Sequence, residues 1–197
     1  IITAASMDIK NAALEKSPVL EHIKTSVLGE SPKVAVLKGI DPTPENRRIV
    51  PCAWTNFLAD SMRSELNTDV AFVNAANMRK VPKLGILTER DITETTPLKN
   101  TLMVSNMTEK EIVRVVKEAA KTSLSHTTGE PGIMHVSGLS YKATSDGDLL
   151  EMNFVDKNGN KTPIDINNPK EDKFYTVAHD TFVAKYRENM EYPGMLI

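Results

Sequence analysis

Asp69-Val70-Ala71-Phe72-Val73-Asn74-Ala75-Ala76-Asn77-Met78-Arg79 is the stretch on which the fold turns. Val70 to Val73 is a short apolar run, the length of one buried strand. It stops in small and amide-bearing residues and then reaches Arg79. A strand that ends in small side chains lets a ligand come close to the backbone. Asn supplies a donor and an acceptor, and Arg a planar fork suited to an anion. Taken alone, the same letters also read as a strand, a turn and a surface arginine.

Working upstream, Cys52 to Leu66 has helical spacing. Trp54, Phe57, Leu58, Met62 and Leu66 fall on one face, and Asn56 and Asp60, four apart, on another. Helix then strand makes one α/β unit. Further upstream, Gly39 to Arg48 is a loop with two prolines and paired arginines, and Val34 to Leu37 reads as a strand. Met7 to Leu28 has helical spacing broken at Ser17-Pro18 and closed by Gly29.

Downstream, Thr88-Glu-Arg-Asp91 resembles a capping box, with a short helix ending near Pro97. Leu102 to Val104 reads as a strand. Thr108-Glu-Lys-Glu111 is a full capping box opening a helix with Ile112, Val113, Val115, Val116, Ala119 and Ala120 on its apolar side. From Ile133 the pattern turns to β: 134–136, 139–143, 149–155, 162–166 and 174–178 are strand candidates. Asn158-Gly159 marks a hairpin between two of them, and 180–189 reads as a final short helix. The fold class is α+β, with mixed α/β layers.

Composition bounds the function. The 197 residues are 40% hydrophobic and 25% charged, with a formal net charge of -2. These are ordinary values for a globular domain, and the charge gives no basis for non-specific nucleic-acid binding. No apolar run approaches the roughly 20 residues of a membrane-spanning helix. A single cysteine, Cys52, precludes an internal disulfide. The chain opens on Ile1 without a Met, so we read it as cut or processed from something longer, any export signal being already gone.

Catalytic patterns are missing. His22, His126, His135 and His179 show no metal-ligand spacing, and no phosphate loop, nucleophile elbow or C-x-x-C occurs. His135 and His179, in or at the ends of strands, are expected to complete local hydrogen bonds. Cys52 precedes a helix with no evident base and reads as packing.

Several stretches in order nevertheless resemble the C-terminal domain of the 5'-nucleotidase and UDP-sugar hydrolase family. They are Asn56-Phe-Leu-Ala-Asp60, Asp69 to Asn74, the Asn74 to Arg79 loop, Ile92 to Pro97 with Asn100-Thr-Leu-Met-Val-Ser, Met107-Thr-Glu-Lys-Glu-Ile, Val136-Ser-Gly-Leu139, and Phe174-Tyr-Thr-Val-Ala-His-Asp-Thr-Phe182. The resemblance covers about residues 30 to 185. It implies mixed sheets flanked by helices over 31–197, with 1–30 as the remnant of a helical interdomain connector.

It also implies a domain that binds a nucleotide or nucleoside phosphate beside an N-terminal metallophosphoesterase domain. That neighbour would hold two divalent metal ions, in a protein that is periplasmic, cell-surface or secreted. By resemblance the substrate contacts are Arg48, Asn74, Arg79, Phe182, Gly138 and Leu98, with none of them catalytic. Arg48 and Arg79 would face phosphate, and Asn74 and Phe182 the base. The departures lie at the base clamp. Leu98 stands where the family has phenylalanine, Ala75, Ala76 and Asn77 replace loop glycines, and Tyr186-Arg187-Glu188 replaces a glycine-glycine-aspartate. A diverged interaction module with a degraded nucleotide site is the alternative.

Overall fold

The computed structural model describes residues 27–30, 48–49, 52–80, 86–98, 100–124 and 132–185. The strand expected at 34–37, His22, His126, most of the 7–28 helix and Tyr186 to Glu188 lie outside them. The last turn of that expected helix is corrected. Val27–Glu30 is a strand, β1, paired antiparallel with β3, Ile86–Thr88. Gly29, read as a helix stop, is a pairing residue opposite Leu87.

The expected unit around the opening stretch forms as helix α1, Ala53–Glu65, then strand β2, Val70–Asn74. Every residue of β2 is buried. The reason is the continuous apolar run, which lets the strand bury both faces. Val70 and Phe72 join one core cluster, Ala71 and Val73 another. On the second face, Ala71, Val73 and Ala178 are small, and α1 lies close, with Ala59 fully buried against them. Trp54 is core as expected and stacks on Phe57 with centroids 5.2 Å apart, while Phe57 itself reaches the surface.

Both capping boxes form. Thr88 caps α2, Glu89–Thr95, and its N–H donates to the Asp91 carboxylate at 2.8 Å. Thr108 does the same for α3, Glu109–Leu124, donating to Glu111 at 2.8 Å. Strand β4 is longer than expected, Leu102–Thr108. The β-rich second half gives β5, Met134–Ser137, β6, Leu139–Ala143, β7, Leu149–Val155, β8, Lys161–Ile164, and β9, Phe174–Asp180. At the β7–β8 hairpin, Gly159 takes the left-handed conformation at φ +83° and the Asp156 carboxylate accepts the Asn158 and Asn160 N–H groups.

The central sheet has four strands in the order β4-β9-β2-β5, and β6-β7-β8 form a separate antiparallel meander. In the central sheet β2 and β9 run parallel, and the outer pairs are antiparallel. The layers are α1, the sheet, and then α3 with the meander. Ile112, Val115, Val116 and Ala119 of α3 meet Val70, Phe72, Met107 and Val177 of the sheet and Leu149, Met152 and Ile164 of the meander in one cluster. This is the mixed arrangement expected from the sequence. Its consequence for function is local: the two inner strands, parallel neighbours, finish at the same edge of the sheet.

Candidate functional site

Strands β2 and β9 end at Asn74 and Asp180. The carboxyl ends of parallel strands are where open sheets leave a crevice for ligands. Beyond Asn74 the chain enters one 3₁₀ turn, Ala75–Asn77, all of it buried. Asn77 then turns its side chain to Asp180, donating Nδ2–H to Oδ2 at 2.6 Å. Asn100, just before β4, donates to the same oxygen at 2.8 Å. The other carboxylate oxygen of Asp180 accepts the Val183 N–H at 2.9 Å, capping the helical turn of residues 181–185. The continuation of that expected helix to 189 lies outside the described residues.

Backbone bonds complete the stitching. Arg79 N–H donates to Thr95 O at 2.8 Å, and Thr181 N–H to Thr101 O at 3.0 Å. Lys80 and Arg90 both reach Glu94 at 2.6 Å, tying the loop after Arg79 to α2. Their hydrogen bonds, Lys80 first, hold the Glu94 carboxyl below its ordinary range. On the β5 side Ala75 N–H donates to Ile133 O, and Ile133 N–H to Arg48 O, both at 2.9 Å. Gly132, at φ +82°, lets this happen: a Cβ there would sit 2.9 Å from the Ala75 Cβ and 3.2 Å from Arg48 O.

Five of the six residues singled out from the sequence belong to segments at this edge. Arg48 is half-buried on the β5 flank, and Arg79 is exposed beyond the 3₁₀ turn. Leu98 is 39% exposed, and Phe182 is half-buried just past Asp180. Asn74 is 1% exposed, so the amides that reach the cavity wall are Asn77 and Asn100. The sixth, Gly138, lies beside the amino end of β2. Ser137 pairs with Ala71, and a Cβ on Gly138 would come within 2.1 Å of Asp69 O. Gly132 is the glycine that lies at the carboxyl edge.

A cavity of about 240 Å³ opens between this edge and α1, walled by Leu58, Met62, Val73, Leu98, Asn100 and Asp180. It exceeds the roughly 150 Å³ that admits a benzene ring in an engineered core. Apolar side chains on one side and a fixed amide–carboxylate cluster on the other suit a flat, polar-edged ring. Sequence reasoning missed Asp180, Asn77 and Asn100 as a group, because residues 77 and 180 meet only through the fold.

Both strand histidines make local bonds, and the Nε2 of His135 stays buried without a partner. His179 Nδ1 faces Asp180 O at 2.9 Å. A carbonyl only accepts, so Nδ1 carries the proton and Nε2 accepts from Ser105 Oγ at 2.8 Å. His135 Nδ1 lies 3.1 Å from Asn56 Oδ1, and burial pushes its imidazole down to about 4. Among the described residues, no three His, Cys, Asp or Glu side chains cluster where they could hold a metal ion. No helix among the described residues is long and apolar enough to cross a membrane.

Residues 27–193 match the family model for the 5'-nucleotidase C-terminal domain, and the chain belongs to that family. Among curated proteins it is similar to the trifunctional nucleotide phosphoesterase protein YfkN of Bacillus subtilis (strain 168), with 28% identity over 174 residues. That match takes in 84% of this chain and 11% of the Bacillus protein. Among solved structures it resembles a 5'-nucleotidase precursor from Thermus thermophilus, with a TM-score of 0.64 and 21% identity over 91% of this chain and 34% of that one. It also resembles the NAD nucleotidase of Haemophilus influenzae, with a TM-score of 0.62 and 19% identity over 96% of this chain and 35% of that one. At these identities the structural likenesses establish the fold. The chain spans about a tenth of the curated relative and about a third of each solved one.

Proposed function

We propose that this domain binds the nucleotide of a two-domain, metal-dependent 5'-nucleotidase-like phosphohydrolase. Hydrolysis would belong to a metallophosphoesterase domain elsewhere in the protein. Two divalent ions there would supply a metal-activated water as nucleophile. In this reading Arg48 and Arg79 take the phosphate through charge-assisted hydrogen bonds. Phe182 and Leu98 contact the base, near Asn74, and the Asp180 cluster with Asn77 and Asn100 shapes the polar edge of the pocket. Gly138 supports the sheet from the other end. A location outside the cytoplasm goes with the family resemblance.

The observation that supports this reading is the open cavity at the carboxyl edge of parallel β2 and β9, where Leu98 lies with Asn77, Asn100 and Asp180. Calorimetry with AMP, adenosine and UDP-glucose tests it. Saturable binding of AMP, weakened about tenfold or more in Arg79→Ala, is the expected result. The 197-residue chain by itself should release no phosphate from AMP. Activity that survives chelation and rigorous purification would count against this division of labour.

Two features favour a second reading, a diverged interaction module. The Asp180 carboxylate is already occupied by Asn77, Asn100 and Val183, and Leu98 offers no ring to stack. Absence of binding to all three ligands, in a chain that still melts cooperatively, would favour it.

A further inference from the structure

A second pocket lies at the opposite end of β2, where α1 ends and the β7–β8 hairpin leans over it. Its volume is about 370 Å³, and it is lined by Asp60, Arg63, Ser64, Asn67, Ser137 and Lys157. Two cations meet there. Arg63 donates from Nη2 to Val155 O at 3.1 Å, and its Nε is buried with no hydrogen-bond partner. Lys157 donates to Asn67 Oδ1 at 2.6 Å. Neither forms an ion pair with a carboxylate among the described residues.

A guanidinium held partly out of water without a carboxylate partner is costly, and an anion in the pocket beside it offsets that cost. Asn67, at φ +48°, closes α1 in the left-handed conformation common at helix ends, with its N–H donating to Ser64 O and the Thr68 N–H to Arg63 O, and its side chain accepts from Lys157 beside the pocket. Gly138 lets Arg63 lie against the backbone, since a Cβ there would stand 3.1 Å from the guanidinium Nε and Cζ. Ser64 and Ser137 add hydroxyl donors. Asp60, the one acid, is exposed.

We infer that this pocket binds a small oxyanion, a phosphate or carboxylate group, between Arg63, Lys157 and the two serines. The inference is independent of nucleotide binding at the other end of β2. The test is titration of the 197-residue chain with inorganic phosphate and, in a separate arm, with malonate. It is read by calorimetry and by the Arg63 Nε–H signal in nitrogen-edited NMR spectra. Saturable binding of either anion is expected, shifting that signal, retained in Arg79→Ala, and weakened about tenfold in Lys157→Met. The responding arm identifies the oxyanion. Lys157 is an exposed hairpin residue, so its replacement leaves the fold intact even if Arg63→Gln does not. No saturable binding, or binding lost in Arg79→Ala and kept in Lys157→Met, overturns the inference.

Discussion

The two ends of strand β2 are built by different means. At the amino end, backbone and carboxylate close directly on each other. Thr176 donates both its N–H and its Oγ–H to Asp69 at 2.8 Å, and Gly138 packs on Asp69 O with no room for a side chain. At the carboxyl end, side chains do the joining: two asparagine amides converge on one Asp180 oxygen. The first end is set by steric exclusion. The second is set by polar geometry, which a change of one atom type can alter without moving the backbone. A site that must vary its ligand across a family is better placed at the second.

Substitution at the amino end should show the largest effect. Gly138→Ala forces a Cβ onto a carbonyl in a left-handed conformation. We expect a loss of about 4 kcal/mol or more, or failure to fold, measured by urea unfolding. Gly159→Ala has the same sign of φ and nothing within 4 Å, so it should cost only about 1–2 kcal/mol. Equal losses would mean that φ rather than contact governs both.

Next comes acid. His135 is neutral in the fold, pushed down to about 4 from an ordinary value of 6.5. The unfolded chain therefore binds the proton more readily between those values. Its contribution to stability is complete above about pH 6.5 and falls as pH drops toward 4, by about 3 kcal/mol. The unfolding free energy of His135→Gln should be flatter across this window than that of the parent. A parallel pH profile in the two proteins would remove His135 from the account.

At the carboxyl end, Asp180→Asn retains shape but places an NH₂ group either toward Asn77 and Asn100 or toward the Val183 N–H. Either way a donor faces a donor. A loss of about 2 kcal/mol is expected, with the loop after Asn74 loosened. Amide exchange at Arg79 and Thr181 should quicken. Smallest of all, Arg79→Ala should leave the unfolding free energy within about 0.5 kcal/mol of the parent, because Arg79 is exposed and its structural bond is through the backbone. A large destabilisation would make Arg79 a structural residue and weaken its assignment to ligand.

What could be read from the sequence follows the range of each interaction. The capping boxes at Thr88 and Thr108 and the Asn158-Gly159 turn are complete within four residues, and each forms. The buried run at 70–73 announces itself by composition. The β1 strand does not, because Val27 and Leu28 continue a helical spacing and only pairing with 86–88 makes them extended. The site divides likewise. Arg48, Asn74, Arg79, Leu98 and Phe182 are singled out by family resemblance alone, whereas the Asp180 cluster needs residues 77, 100 and 180 in one place. Gly138 and Gly132 look alike as letters, and only the register of β5 on β2 says which end each serves.

The placing of β9 between β4 and β2 has a consequence for how the chain is made. Its partners Val70 and Ala71 lie more than a hundred residues earlier, opposite Val177 and Ala178. The meander, by contrast, pairs only near neighbours within 139–164. On a ribosome, the meander can close as soon as it emerges, while β2 and β4 wait with an inner sheet edge open until β9 arrives. Long-range closure of this kind is slow and exposes strands to wrong pairing. A chain ending at residue 170 would carry the meander and the β2–β5 pair but no β9 to join β4 to them, and so neither the carboxyl-edge cavity nor the closure at Asp69.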